Sequence, residues 1–142
     1  MLRFIYGKDF PRYPKLYRSM FLDRADQFKT RLGWDVTVDP LQEERDKYDL
    51  QNPLYVIWQT SSGVHGGSMR VLPTLGPCML NQYFSHVIEG SKIESPHIRE
   101  CTRFCLPYET PPRVAAALLL AGAELMLFSN CPGCLDAVWL II

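Results

Sequence analysis

A chain of 142 residues, 47% of them hydrophobic, is long enough to bury one real core and short for more than one domain, so a single domain over residues 1–142 is expected. Fifteen basic and fifteen acidic residues cancel, which excludes recruitment of nucleic acid or a membrane surface by net charge. The longest apolar run, residues 114–123, is well short of the roughly 20 needed to span a bilayer, and the opening stretch has neither the apolar run nor the small-residue site of a signal peptide; five cysteines with no export signal then read as reduced thiols in a cytoplasmic protein.

Along the chain, residues 1–7 read as a short strand. Residues 9–31 read as a helix broken near Pro11 and Pro14, because an internal proline removes a donor and clashes with the preceding turn. Residues 39–53 form a polar connection. Residues 54–60 and 64–72 are two strands of a hairpin joined by the turn Ser61-Ser62-Gly63. A loop over 73–80 leads to a short helix over 81–87, and a second loop to a strand over 97–106. Pro111 and Pro112 open a helix that runs to about Phe128, as proline does at a first turn. That helix is apolar all round except at Glu124, which predicts a central position. A turn over 129–134 and a buried strand over 135–142 close the chain. A helix, an antiparallel hairpin and a strand–helix–strand unit make an α/β fold, with a mixed sheet covered on both faces.

Four groups of residues stand out against that frame. Met20, Arg24 and Phe28 are spaced four apart, so one helical face carries a cation inside an apolar row, and Trp34 follows Gly33 just past the expected helix end. The bland reading has Phe28 in the core and Arg24 reaching back to water. Asp46 and Asp49 lie in a polar connection, where acidic residues are usually solvated. Arg70 sits on a strand beside Gly66 and Gly67, which let another backbone or a ligand approach. Glu100 and Arg103 interrupt an interior strand, and burying either charge requires a partner. In a plain strand these two point to opposite faces; they share a pocket only if the strand is bulged there. Otherwise Arg103 is structural or faces a partner. His65, His86 and His97 show no ligand spacing.

The stretches around these residues, residues 21–36, 44–50, 66–80 and 95–106 with the helix behind them, resemble the acyl-homoserine-lactone synthases, the autoinducer synthases of bacterial quorum sensing. The resemblance covers roughly residues 1–128 and rests on Arg24, Phe28, Trp34, Asp46, Asp49, Arg70, Phe84, Glu100 and Arg103 occurring in order near the family's usual spacing. It implies an N-acetyltransferase-like three-layer sandwich. It also implies a reaction in which the amine of S-adenosylmethionine takes an acyl group from an acyl carrier protein, and the carboxylate then closes a lactone and expels methylthioadenosine. On that reading Trp34 and Phe28 offer aromatic faces to a cation, with Phe84 in the same site. Asp46 and Asp49 hold positive charge and position the loop, while Arg24 or Arg70 forks onto the carboxylate. Glu100 is the candidate base, directly or through a water, with Arg70 and Arg103 beside it. Lys92, Arg99 and Arg113 lie near the acyl end and are candidates to meet an acidic carrier protein. S-adenosylmethionine is thus expected as a substrate, and no metal is called for.

Residues 129–142 depart from the family pattern, and the fold is expected to be incomplete at its C-terminus. The apolar stretch 135–142 would then be an exposed edge strand, poorly stable and prone to self-pairing, and the apolar helix before it would lose part of its cover. Three function classes follow: an active synthase, an inactive truncated remnant of one, or a thiol or metal protein built on Cys131-Pro-Gly-Cys134. The last is weak, because a strand-like run rather than a helix follows the motif and no second cysteine pair is present.

Overall fold

The computed structural model describes residues 1–95, 97–128 and 139–141. Its backbone is a five-stranded sheet in sequential order: β1 Leu2–Tyr6, β2 Leu54–Gln59, β3 His65–Pro73, β4 Arg99–Cys105 and β5 Trp139–Ile141. The first four strands pair antiparallel and β5 pairs parallel with β4, so the sheet is mixed as expected.

Strand alternation sorts the core into two layers. Ile5, Tyr55 and Ile57 face helix α1, Pro14–Ala25, and pack with Phe10, Leu16, Met20 and Phe21. Val56, Met69, Val71 and Cys101 point the other way, against Val114, Leu118 and Ala121 of helix α3, Pro112–Phe128. Sheet and flanking helices form the expected three-layer α/β sandwich. Of the two glycines near Arg70, Gly67 serves the α3 side: a Cβ on it, at φ +152°, would lie 3.0 Å from Val114 and Leu106 side-chain carbons, while one on Gly66 would meet Thr60 and Trp58 side chains at 3.0 Å. Close approach at Gly67 admits a helix, not a ligand.

Several elements differ from the sequence reading. The helix expected over 9–31 is a 3-10 turn, Gly7–Arg12, then α1 with Pro14 at its start, then a π-helical turn, Asp26–Arg31. The helix expected over 81–87 begins earlier, as α2 Met79–Tyr83, and breaks at Phe84 before a 3-10 turn, Ser85–Ile88. Its early start has a tertiary cause. Glu100 on β4 accepts hydrogen bonds from the backbone N–H groups of Met79 and Leu80, at 3.1 and 2.9 Å, supplying partners for orphan donors at the helix start. Helix α3 is not central: Leu119 and Leu120 on its outer side are exposed. The turn over 129–134 and its two cysteines lie outside the described residues, and of the stretch 135–142 only β5 is described.

One buried polar chain ties α1 to the sheet. The His65 ring sits between the Asp23 carboxylate, 2.6 Å from Nδ1, and the Ser68 hydroxyl, 2.9 Å from Nε2, while the His65 backbone N–H donates to Ser19. Burial pushes the His65 pKa down despite the Asp23 hydrogen bond. No helix among the described residues is long and apolar enough to cross a membrane.

Candidate active site

The site is built where the end of α1 meets the bulge of β4. Met20, Arg24 and Phe28 do lie on one buried face. The π-helical turn then closes with the Leu32 N–H on the Gln27 carbonyl and the Trp34 N–H on the Phe28 carbonyl, 3.0 and 2.8 Å. Gly33, at φ +64°, takes the left-handed conformation that this reversal needs. Trp34 is thereby folded back onto Phe28, rings parallel within 14° and centroids 5.0 Å apart. Phe28 is buried; Trp34 is 47% exposed, so one indole face is open.

On β4, Cys105 pairs with Ser68 and Thr102 with Arg70, so Arg103 and Phe104 together oppose Met69. This is a β-bulge, and Arg103 takes φ +53° to make it. The bulge resolves the parity problem. Glu100 and Thr102 share the α1 face with Arg70 in the strand register, and Arg103 is turned to join them.

Three arginines and three carboxylates then interlock. Arg24 donates from Nε to Glu44, 2.6 Å, and from Nη1 and Nη2 to the two Asp49 oxygens, 2.9 and 3.0 Å. Arg70 donates to Asp46, at 2.5 and 3.0 Å, to Asp49 at 2.8 Å, and from Nε to the Thr102 hydroxyl at 3.1 Å. Arg103 donates to Glu44 at 3.2 and 3.0 Å, lies 3.0 Å from Asp46, and places its guanidinium carbon 5.3 Å from the Phe28 ring centre. Tyr55 donates its hydroxyl to Asp49 at 2.6 Å. The set carries no net formal charge, which is how so many ions tolerate burial. Burial alone would raise the Asp49 pKa, but the Arg24 and Arg70 guanidiniums outweigh it and hold the carboxyl well below its usual range. Asp49 and Glu44 likewise raise Arg24 against its desolvation.

The loop that supplies the acids is held by its own capping box. Asp46 accepts from the Tyr48 and Asp49 N–H groups, and Asp49 accepts from the Asp46 N–H. Asp46 and Asp49 are therefore not solvated loop acids. Nor do Arg24 and Arg70 have forks to offer a ligand carboxylate: they are 1% and 0% exposed, and their donors are committed within the protein.

In front of this network lies an open cleft of about 780 Å³. Of the sequence candidates, Trp34, Asp46, Phe84 and Arg103 line it. Phe28, Arg24, Asp49 and Arg70 form the layer behind. Glu100 is fully buried and does not line the cleft; Met79, whose N–H it accepts, does. Lys92 pairs with Glu94 at 2.5 Å and belongs to neither layer. Sequence reasoning missed Glu44, the acid shared by Arg24 and Arg103, and also Tyr55 and Met79; none of the three carries a local signal. The D-x-x-D spacing of Asp46 and Asp49 was a legible cap signature. The described thiols are poor candidates for chemistry: burial pushes Cys101 and Cys105 up to about 12. Among the described residues no group of three or more metal-ligating side chains is assembled.

A family model described as autoinducer synthase matches residues 11–130. The chain is similar to an acyl-homoserine-lactone synthase of Rhizobium etli, 42% identical over 114 residues that cover 76% of this chain and 53% of that relative. It spans about half the length of the curated relatives it matches. Among solved structures it resembles the AHL synthase LasI, with TM-score 0.77 and 31% identity over 90% of this chain and 66% of that one. It also resembles TofI in a ternary complex with an inhibitor and MTA, with TM-score 0.63 and 28% identity over 77% and 57% of the two chains. Two CoA-dependent acyl-homoserine lactone synthases, MesI and BjaI, share the fold at TM-scores of 0.79 and 0.80 with 24% and 23% identity. With the fold it shares with LasI and the family match over residues 11–130, the chain belongs to the autoinducer synthase family.

Proposed function

We propose that this chain acts as an acyl-homoserine-lactone synthase, binding S-adenosylmethionine in the cleft in front of the arginine–carboxylate network. The observation that carries this reading is the pairing of an open Trp34 face with a charged but internally neutral floor. A sulfonium gains from an aromatic face and from nearby carboxylate oxygens, and is not repelled by a floor whose arginines are already matched. MTA in the TofI complex is the thioether that S-adenosylmethionine leaves behind, and supports the same choice.

The reaction divides into two displacements. The substrate amine attacks the acyl thioester carbon, an N–C bond forms, the C–S bond breaks, and the departing thiolate is protonated. A carboxylate oxygen then attacks the carbon attached to the sulfonium. That C–S bond breaks onto sulfur, and methylthioadenosine leaves as a neutral thioether. The protein must remove the amine's proton, since a protonated amine has no lone pair. Glu100 is the acid on this sheet face that no arginine engages; its oxygens take one backbone N–H each and retain acceptor capacity. Because it does not line the cleft, it would act as the base through a water rather than directly, and its hold on α2 also seats Phe84 at the cleft. Arg103 fixes Glu44 and Asp46, and through Phe28 supports the indole.

Acyl carrier protein is the proposed acyl donor. The CoA-dependent neighbours make acyl-CoA the second reading, because both donors present the same thioester. The test is lactone formation followed by mass spectrometry, with S-adenosylmethionine and either acyl-acyl carrier protein or acyl-CoA. Product with the carrier protein alone supports the first reading and product with CoA alone the second. Absence of product with both, alongside intact S-adenosylmethionine binding, would identify the inactive form.

A further inference from the structure

Six charged side chains line the cleft: Asp35, Glu44, Arg45, Asp46, Lys47 and Arg103. Four are spoken for inside the protein. Glu44 and Asp46 are held by arginines, Arg103 by both of them, and Arg45 pairs with Glu43 while its guanidinium lies 4.7 and 4.5 Å from the ring centres of Tyr17 and Phe21. The remaining two have no ion partner among the described residues. Lys47 lies over aromatic faces, its ammonium 5.3 Å from the Tyr48 ring centre and 5.5 Å from that of Tyr83. Asp35 directly follows Trp34 and makes no ion pair among the described residues. The cleft thus presents one uncommitted cation over two aromatic rings, Lys47, and one uncommitted anion, Asp35, which lines the same cleft as its neighbour in sequence, Trp34.

We infer that Asp35 and Lys47 read the two ends of a zwitterionic sulfonium substrate, Lys47 taking its α-carboxylate and Asp35 attracting the sulfonium that lies on Trp34. This rests on the proposed binding of S-adenosylmethionine and assigns its orientation. The residue types suit the tasks. A lysine offers a compact point charge rather than a two-pronged fork, so it can hold one carboxylate oxygen and leave the other free to close the lactone. Arg24 or Arg70 was expected to bind that carboxylate, but neither can do so without abandoning buried acids, which costs more than the new contact returns. An aspartate beside an exposed indole adds Coulomb attraction where the aromatic face already favours a cation. Both residues are exposed, so neither is needed to hold the fold.

The experiment is calorimetric titration of the wild-type chain and of Lys47→Gln, Lys47→Arg and Asp35→Asn. The probes are S-adenosylmethionine, decarboxylated S-adenosylmethionine, which keeps amine and sulfonium, and S-adenosylhomocysteine, which lacks the sulfonium charge. Lys47→Gln is expected to weaken S-adenosylmethionine about fivefold, the scale of a solvent-exposed ion pair, and to leave the decarboxylated analogue unchanged; Lys47→Arg restores most of the loss. Asp35→Asn is expected to weaken both sulfonium ligands alike and S-adenosylhomocysteine much less. Losses that ignore the carboxylate in Lys47→Gln, or unaltered affinity in both charge-removing variants, overturn the assignment while leaving S-adenosylmethionine binding intact. Failure of the wild-type chain to bind either sulfonium ligand overturns both the assignment and the proposed function.

Discussion

Asp49→Asn is the sharpest probe of the buried network. The carboxylate accepts from Arg24 on both oxygens, from Arg70 and the Tyr55 hydroxyl on Oδ1, and from the Asp46 N–H on Oδ2. The asparagine has nearly the same shape but no charge, and its NH2 group must face donors whichever way it is turned. Three guanidiniums then share the two remaining acids, Glu44 and Asp46, with one buried positive charge left over. Removing one partner from a buried ion pair typically costs about 3–5 kcal/mol, a large part of the roughly 5–15 kcal/mol that holds a domain together. For a chain of this length that corresponds to a fall in Tm of roughly 10–15 °C. Urea unfolding at neutral pH measures the loss. The same variant has a pH signature. The folded Asp49 pKa lies below the unfolded one, so its contribution is complete above the usual carboxylate range and is lost as pH falls below about 4 toward the folded value. In Asp49→Asn that acid-induced decline should be shallower. A loss under about 1 kcal/mol, or an unchanged acid limb, would show that the network is solvated and that the reasoning about its burial is wrong.

Three further outcomes are expected. Burial lowers the His65 pKa, so the unfolded chain takes up that proton first and stability should drop as pH falls below about 6.5; His65→Gln should flatten the urea midpoint between pH 8 and 5 (roughly the histidine titration range), and an unaltered slope there would contradict a buried neutral ring. Trp34→Ala should weaken S-adenosylmethionine by about 1–2 kcal/mol with little change in unfolding midpoint, because the half-exposed ring contributes more to the cleft than to the core; undiminished affinity by calorimetry would return Trp34 to a surface role. Glu100→Gln should reduce lactone formation on the order of 10²–10⁴-fold while S-adenosylmethionine affinity holds. Matching losses in rate and affinity would instead show that Glu100 acts by seating α2, since the glutamine also sets a donor against the Met79 or Leu80 N–H.

Much of this protein could be read from residue order alone, because its signals are local. Two strand-like runs on either side of Ser61-Ser62-Gly63 marked the hairpin, and the order of elements marked a sheet covered on both faces; the structure then put Tyr55 and Ile57 on one face and Val56 on the other. The four-residue spacing of Met20, Arg24 and Phe28 marked one buried helix face, and Gly33 marked the reversal that delivers Trp34. What the tertiary structure alone decided were the partners. Arg24 and Arg70 looked free to grip a ligand, and only the fold brings Asp46, Asp49 and Glu44 onto them. Glu44 lies 20 residues from Arg24 and 59 from Arg103, a separation at which no periodicity survives. The start of α2 moved because a carboxylate on β4 captured its first N–H groups. Arg103 changed face because a bulge added one residue to its strand. Helix and strand propensities come from neighbours along the chain, whereas the pairing of buried charges is settled by whichever opposite charge the fold brings within hydrogen-bonding reach. At this site the latter decided which side chains were left over to meet a ligand.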